Sequence, residues 1–128
     1  MSWQKKILRV DLDAGTCESE DLNMDWAHKY LGSRGLATKY FAEEVDAKVD
    51  PLSADNKLII ATGPLTSTVA PTSGRWTAIT KGPLTGAIAC SNSGGFFGAE
   101  LKNAGWDMII FEGQAASPVY LDIKNEEA

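Results

Sequence analysis

Apolar and polar residues alternate from Lys6 to Leu12, with Ile7, Leu8, Val10 and Leu12 supplying most of one face. This period of two predicts a strand. Asp13-Ala14-Gly15-Thr16 is turn chemistry, and a second short strand through Glu20 completes a hairpin. The period then changes. Asp25 is placed to cap a helix that begins at Trp26, and Trp26, Tyr30 and Leu31 recur at helical spacing. Gly32-Ser33-Arg34-Gly35 interrupts that helix, after which Leu36, Tyr40, Phe41 and Val45 resume the pattern. Pro51 pushes Asp50 out of helical geometry, so Asp50 to Ser53 is a loop.

The second half is richer in strands. Leu58-Ile59-Ile60-Ala61 is a short apolar run ended by Gly63-Pro64 and predicts a buried strand. Trp76 to Thr80 and Ala87 to Cys90 predict two more. After Gly94-Gly95, residues Phe96 to Asn103 form a short helix closed by Gly105. Asp107 to Phe111 and Val119 to Ile123 predict two final strands, separated by Gly113 and Pro118. Strict strand–helix alternation is missing. The expected class is therefore α+β, with mixed or antiparallel sheet, one longer and one short helix, and a single domain over residues 1–128.

One local echo stands out. Gly63-Pro64-Leu65-Thr66 recurs as Gly82-Pro83-Leu84-Thr85, and each copy precedes a stretch dense in small residues. A local duplication that sets two similar loops side by side is expected. Small residues let a ligand approach the backbone closely, and glycine turns several N–H groups toward one point. Arg75 adds a planar donor fork suited to anions. A helix opening after Gly94-Gly95 would add its N-terminal N–H groups. Neither a Walker A loop nor Gly-x-Gly-x-x-Gly is present, and Gly/Ser-rich turns are common, so on motif content alone tight turns with a surface arginine are the better reading.

The net charge of −5 is spread along the chain without a basic stripe. That argues against a nucleic-acid binder and against an anionic membrane surface as partner. No apolar run approaches the roughly 18 residues of a membrane span, and the first residues lack the apolar core of a signal peptide. A cytoplasmic location is expected. Cys17 and Cys90 lie far apart and outside any Cys-x-x-Cys pair, which predicts two reduced thiols. His28, the single histidine, is expected on a solvated helix position; Glu43, Glu44 and Glu100 offer no acid–base dyad at a fixed spacing. The four tryptophans are expected in packing.

An ordered set of longer stretches says more. It opens with Tyr30-Leu31-Gly32-Ser33-Arg34-Gly35-Leu36-Ala37 and Pro51 to Ile59. Ala61-Thr62-Gly63-Pro64-Leu65-Thr66, Ala70 to Arg75, and Thr80 to Gly86 follow. Ser91-Asn92-Ser93-Gly94-Gly95-Phe96-Phe97-Gly98-Ala99-Glu100-Leu101-Lys102, Ala104 to Asp107, and Glu112-Gly113 complete it. Nearly the whole chain, in order, resembles the N-terminal domain of the tungsten-containing aldehyde:ferredoxin oxidoreductases.

The resemblance implies an α+β domain of intertwined repeats that forms the base for a bis-pterin dithiolene cofactor carrying tungsten or molybdenum. Sulfurs of the cofactor hold that metal, so the protein need not supply thiolates. Arg75 matches an arginine that contacts the pterin and lies between it and an iron–sulfur cluster. Asn92 matches a residue whose backbone carbonyl helps hold Mg²⁺ between the two pterin phosphates, and Ser93, Gly94 and Gly95 match the close backbone approach to the cofactor. The implied parent oxidises aldehydes to carboxylic acids and passes electrons through a [4Fe-4S] cluster to ferredoxin. Relatives run several-fold longer, so the chain is expected to be a truncated piece, inactive alone, whose partners include the parent's remaining domains and, with oligomeric state open, a homo-oligomer. Two other readings fit the residues themselves: a stand-alone module for a phosphorylated or other anionic ligand, and a structural subunit without catalysis.

Overall fold

The computed structural model describes residues 3–128. Its centre is a six-stranded mixed sheet in the order β2-β1-β6-β3-β4-β5. Strand β1 (Lys6–Asp11) and β2 (Thr16–Asp21) form the expected hairpin, with Gly15 at φ +67 in its turn. Strand β6 (Met108–Glu112) lies parallel to β1 and antiparallel to β3 (Leu58–Thr62). Strands β4 (Trp76–Lys81) and β5 (Ile88–Ser93) continue the sheet antiparallel. The α+β class holds.

Alternation along the strands sorts side chains onto two faces. One face carries Ile7, Ile59, Ala61, Ile79, Met108 and Ile110, and is covered by α1 (Met24–Tyr30) and α2 (Ser33–Glu44) through Ala27, Leu36, Tyr40 and Phe41. The other carries Leu8, Val10 and Ile109 and is covered by Leu101 of α3 (Phe97–Asn103) and by Trp106. Trp106 is buried, as expected; Trp3 and Trp26 pack at the edge of the first cluster.

Several expectations need correction. The capping residue of α1 is Asn23, not Asp25: its Oδ1 accepts from the Trp26 N–H at 3.0 Å, which starts the helix at Met24 and leaves Asp25 in the first turn. The break between the helices falls at Leu31, at φ 66, and Gly35 lies inside α2. Gly35 is needed for a close crossing, because a Cβ there would stand 2.7 Å from the Tyr30 carbonyl oxygen. Strand β5 runs on to Ser93, so Asn92 and Ser93 belong to a strand and not to a loop. Val119 to Ile123 is not a strand. Both edges of β6 are taken by β1 and β3, so this segment crosses the sheet face instead, with Leu121 and Ile123 packed on the second cluster.

The two Gly-Pro-Leu-Thr loops are not side by side. Because β3 and β4 are antiparallel, the loop after Thr62 leaves one end of the sheet and the loop after Lys81 leaves the opposite end. Strand β5 then returns the second stretch of small residues to the first end, where Ser93 pairs with Trp76.

Candidate functional site

The site is built on the loop from Gly63 to Arg75. Its start is fixed by Thr62, whose backbone N–H and hydroxyl both donate to the Asp107 carbonyl at 2.9 Å. Hydroxyls then tie the loop to itself. Thr66 Oγ1 accepts from the Gly63 N–H at 3.0 Å and donates to the Arg75 carbonyl at 3.3 Å. Thr68 Oγ1 donates to the Leu65 carbonyl at 2.7 Å, and Ser73 Oγ to the Thr68 carbonyl at 3.2 Å. Ser67, at φ 63, ties the loop to α3 through Asn103 Oδ1 at 2.5 Å.

Arg75 precedes β4 directly, so the register Trp76↔Ser93 brings it beside the end of β5 and Gly94-Gly95. Two glycines make this approach possible. A Cβ on Gly74 would stand 3.0 Å from the Gly95 carbonyl oxygen, and one on Gly98 would stand 3.2 Å from the Gly74 carbonyl oxygen. The loop end, the end of β5 and the start of α3 therefore meet backbone to backbone. Asn92 faces the α2 side. Its Oδ1 accepts from Thr77 Oγ1 at 2.7 Å, and because a hydroxyl has one proton, the 2.6 Å contact between Ser33 and Thr77 is donated by Ser33. This chain of three side chains joins α2, β4 and β5.

Between the α1–α2 break and the loop lies an open cavity of about 300 Å³, lined by Gly32, Ser33, Gly63, Pro64, Thr72 and Arg75 among others. No lining residue is acidic. Arg75 has no carboxylate partner among the described residues. The N-terminus of α2 borders the cavity with no side-chain cap and no acidic residue in its first turn, so its free N–H groups add to the positive field. The helix end at this cavity is thus that of α2, whereas α3 is a seven-residue helix with Glu100 in its first turn. Beside Arg75, Trp76 Nε1 is a buried donor with no partner among the described residues, and its ring meets Phe97 edge-on at 5.1 Å.

The structure thus brings Arg75, Ser93, Gly94 and Gly95 to one corner and ties Asn92 to it through Thr77 and Ser33. Among the described residues no cluster of three or more His, Cys, Asp or Glu is placed to hold a metal ion, and no helix is long and apolar enough to cross a membrane. Cys17 and Cys90 are free and exposed. His28 is exposed, with its ring edge-on to Trp3 at 5.5 Å. Arg34 is exposed within α2. Sequence reasoning missed Ser33 as a lining residue, for which the Gly32–Gly35 break was the available signal; Pro64, Thr66 and Thr72 lie in the loop it singled out but were not named individually as site residues.

It also missed an ionic cluster away from the corner. Arg9 meets Glu20 at 2.7 Å, Glu44 at 2.9 Å and Glu112 at 3.2 Å, and Lys57 meets Glu44 at 2.8 Å and Glu112 at 2.7 Å. Burial pushes the Glu44 carboxyl up, but hydrogen bonds from Arg9 and Lys57 outweigh it and leave the group below its ordinary value. Hydrogen bonding to Glu44 raises the Arg9 guanidinium in turn.

This topology is shared with one part of a much larger enzyme complex. The chain superposes on the active site complex BamBC of benzoyl coenzyme A reductase, in complex with 1,5 dienoyl-CoA, with a TM-score of 0.95 and 38% identity over 98% of this chain and 19% of that one. The profile of the family "Aldehyde ferredoxin oxidoreductase, N-terminal domain" matches residues 7–128, and the chain belongs to that family. It is 60% identical over 121 residues to a tungsten-containing aldehyde ferredoxin oxidoreductase of Pyrococcus abyssi, covering 94% of this chain and 20% of the relative. It is 40% identical, over 98% of this chain and 20% of the relative, to the WOR-like subunit of an aliphatic sulfonate oxidoreductase of Pyrococcus furiosus. The chain therefore spans about a fifth of the length of the curated relatives it matches.

Proposed function

We propose that this domain forms the base of a tungsten- (or molybdenum-) pterin site in a larger oxidoreductase, contributing binding and orientation while the reacting groups lie elsewhere. The observation that carries the proposal is the convergence of Arg75 and the α2 N-terminus on one open cavity without an acidic group, with the end of β5 held beside Arg75 by the Trp76↔Ser93 register. A bis-pterin carries phosphates, and the residues present suit it. The Arg75 guanidinium offers a planar fork to an anion. A Cβ built on Gly94 or Gly95 meets nothing within 4 Å, so the backbone of Ser93, Gly94 and Gly95 lies open to a close ligand. Strand β5 is an exposed edge whose outer backbone groups have no strand partner among the described residues. The Asn92 carbonyl, a hard oxygen donor, would hold a Mg²⁺ ion that neutralises the cofactor's phosphates.

Once bound, the cofactor supplies two-electron redox chemistry, and the protein supplies position and field. The parent then oxidises an aldehyde to a carboxylic acid, taking the oxygen from water and releasing two protons and two electrons. A [4Fe-4S] cluster held by the parent's other domains would supply the route for these electrons to a ferredoxin-like acceptor. Aldehydes are the favoured substrate class because identity is 54–60% to the aldehyde ferredoxin oxidoreductases but 40% to the sulfonate enzyme subunit and 38% to BamBC. Two free, exposed thiols support a reducing cytoplasm as its location.

Elemental analysis of the full-length parent, purified without oxygen, tests this reading. Stoichiometric tungsten or molybdenum with about four irons per chain is expected, as one [4Fe-4S] cluster requires. Arg75→Ala should then lower metal retention. A variant with unchanged metal content and turnover overturns the role given to Arg75.

A further inference from the structure

We infer that Thr66 is a positioning residue: its hydroxyl latches the two ends of the Gly63–Arg75 loop and so sets the position from which Arg75 reaches the cavity. The inference rests on the cofactor reading above for its consequence, but its geometry is independent of it.

A single buried oxygen joins the loop's first and last residues. Thr66 is 4% exposed; its Oγ1 takes the Gly63 N–H and gives its proton to the Arg75 carbonyl. A hydroxyl can accept and donate at once, which valine of the same shape cannot. Among the described residues this is the hydrogen bond that holds Arg75. The other side of the latch is anchored in the core. Gly63 follows Thr62, which donates twice to the Asp107 carbonyl. The Asp107 side chain is in turn held by the buried Lys102 ammonium and by the Lys5 N–H at 2.7 Å. Arg75 is therefore referenced, through Thr66, to a rigid part of the sheet.

The repeated motif provides an internal comparison. Thr85, in the same place of the second Gly-Pro-Leu-Thr, is exposed and accepts only the Ala87 N–H at 3.3 Å, closing a tight turn. The same four residues thus make a local turn in one loop and a clamp across a whole loop in the other. The difference lies in what returns to the threonine: Arg75 in the first loop, and in the second only a residue two places on.

The test uses the full-length protein with Thr66→Val, Thr66→Ser and Arg75→Ala. Two quantities are read: hydrogen exchange of the Gly63 amide by mass spectrometry, and tungsten per chain after dialysis. Thr66→Val should speed Gly63 exchange by about tenfold, the change that loss of one hydrogen bond of ordinary net strength gives. It should also lose tungsten toward the Arg75→Ala level, while Thr66→Ser stays near wild type in both. Should valine prevent folding, Thr66→Ala makes the same comparison. Wild-type exchange in the variant lacking the hydroxyl, or a serine variant as impaired as valine, overturns the latch. Fast exchange with full tungsten, where Arg75→Ala loses it, overturns the positioning role. If wild type carries neither tungsten nor molybdenum, the cofactor reading fails by itself; if Arg75→Ala keeps the metal, the role given to Arg75 fails; in both cases the exchange rates still decide the latch.

Discussion

Asp107→Asn should be the most damaging conservative change in this domain. Asp107 and Lys102 are 3% and 2% exposed, so the pair is closed to water. The Asp107 side chain serves two donors, Lys102 Nζ and the Lys5 N–H. An asparagine has one acceptor oxygen, so it can satisfy only one of them and presents an NH₂ to the other. Either way a buried ammonium loses its counter-charge. Breaking a buried pair in this manner costs about 3–5 kcal/mol. At roughly 4 °C per kcal/mol for a domain near this size, the melting temperature should fall by roughly 12–20 °C. Urea unfolding followed by tryptophan fluorescence measures the free energy, and Lys102→Met completes a double-mutant cycle. The double variant should lose less than the sum of the singles, with a coupling of at least about 1 kcal/mol. A single-variant loss under about 1 kcal/mol, or additive singles, would refute the reasoning, because both require that water already reaches the pair.

Gly32→Ala would place a Cβ 2.9 Å from Pro64 Cδ and 3.2 Å from the Thr62 carbonyl oxygen, and should cost about 1–3 kcal/mol of stability by urea midpoint. Asn23→Ala removes the α1 cap and should cost about 1 kcal/mol; an unchanged midpoint would show that Asp25 can substitute. The Glu44 carboxyl is lowered below its ordinary value of 4.5, so its contribution is present above that pH and lost as pH falls through the lower folded value. Acid titration of stability should therefore show a falling limb below pH 4.5 that Glu44→Gln makes shallower; an identical limb in the variant would assign acid unfolding to other carboxyls.

The elements that could be read from the sequence were those with a local signature. The Ile7–Leu12 alternation and the Leu58–Ala61 run each had a face to bury, and both became strands of the sheet. The Val119–Ile123 alternation carried the same signal but a different cause. Leu121 and Ile123 bury themselves on a sheet face without pairing, because period two requires a surface and not a partner strand. The end of β5 was hidden for the opposite reason: Ser91, Asn92 and Ser93 are small and polar, as loops are, and only the β4 register makes them strand. At the site, Arg75 and Ser93–Gly95 were legible through the ordered motifs. The cavity wall from Ser33 and the Thr66 clamp were not, because the partners lie on other elements. The Arg9–Glu44–Lys57–Glu112 cluster assembles from four separate places in the chain and leaves no spacing to read.

The place of β6 in the sheet has a consequence for how the domain is made. Strand β6 fills the gap between β1 and β3, yet of the six strands of this sheet it comes last in chain order and is made last. Until it arrives, β2-β1 and β3-β4-β5 are two half-sheets with no strand joining them, each exposing backbone groups that the missing strand will pair. At roughly 5–20 residues per second, β1 waits on the order of 5–20 s for its parallel neighbour. During that interval the apolar faces of both halves are open to wrong partners, and the Asp107 carbonyl that anchors Thr62 does not yet exist. The loop bearing Arg75 can therefore take its final shape only after the sheet closes, so on the proposed function any ligand that needs this loop would bind after the translation of β6.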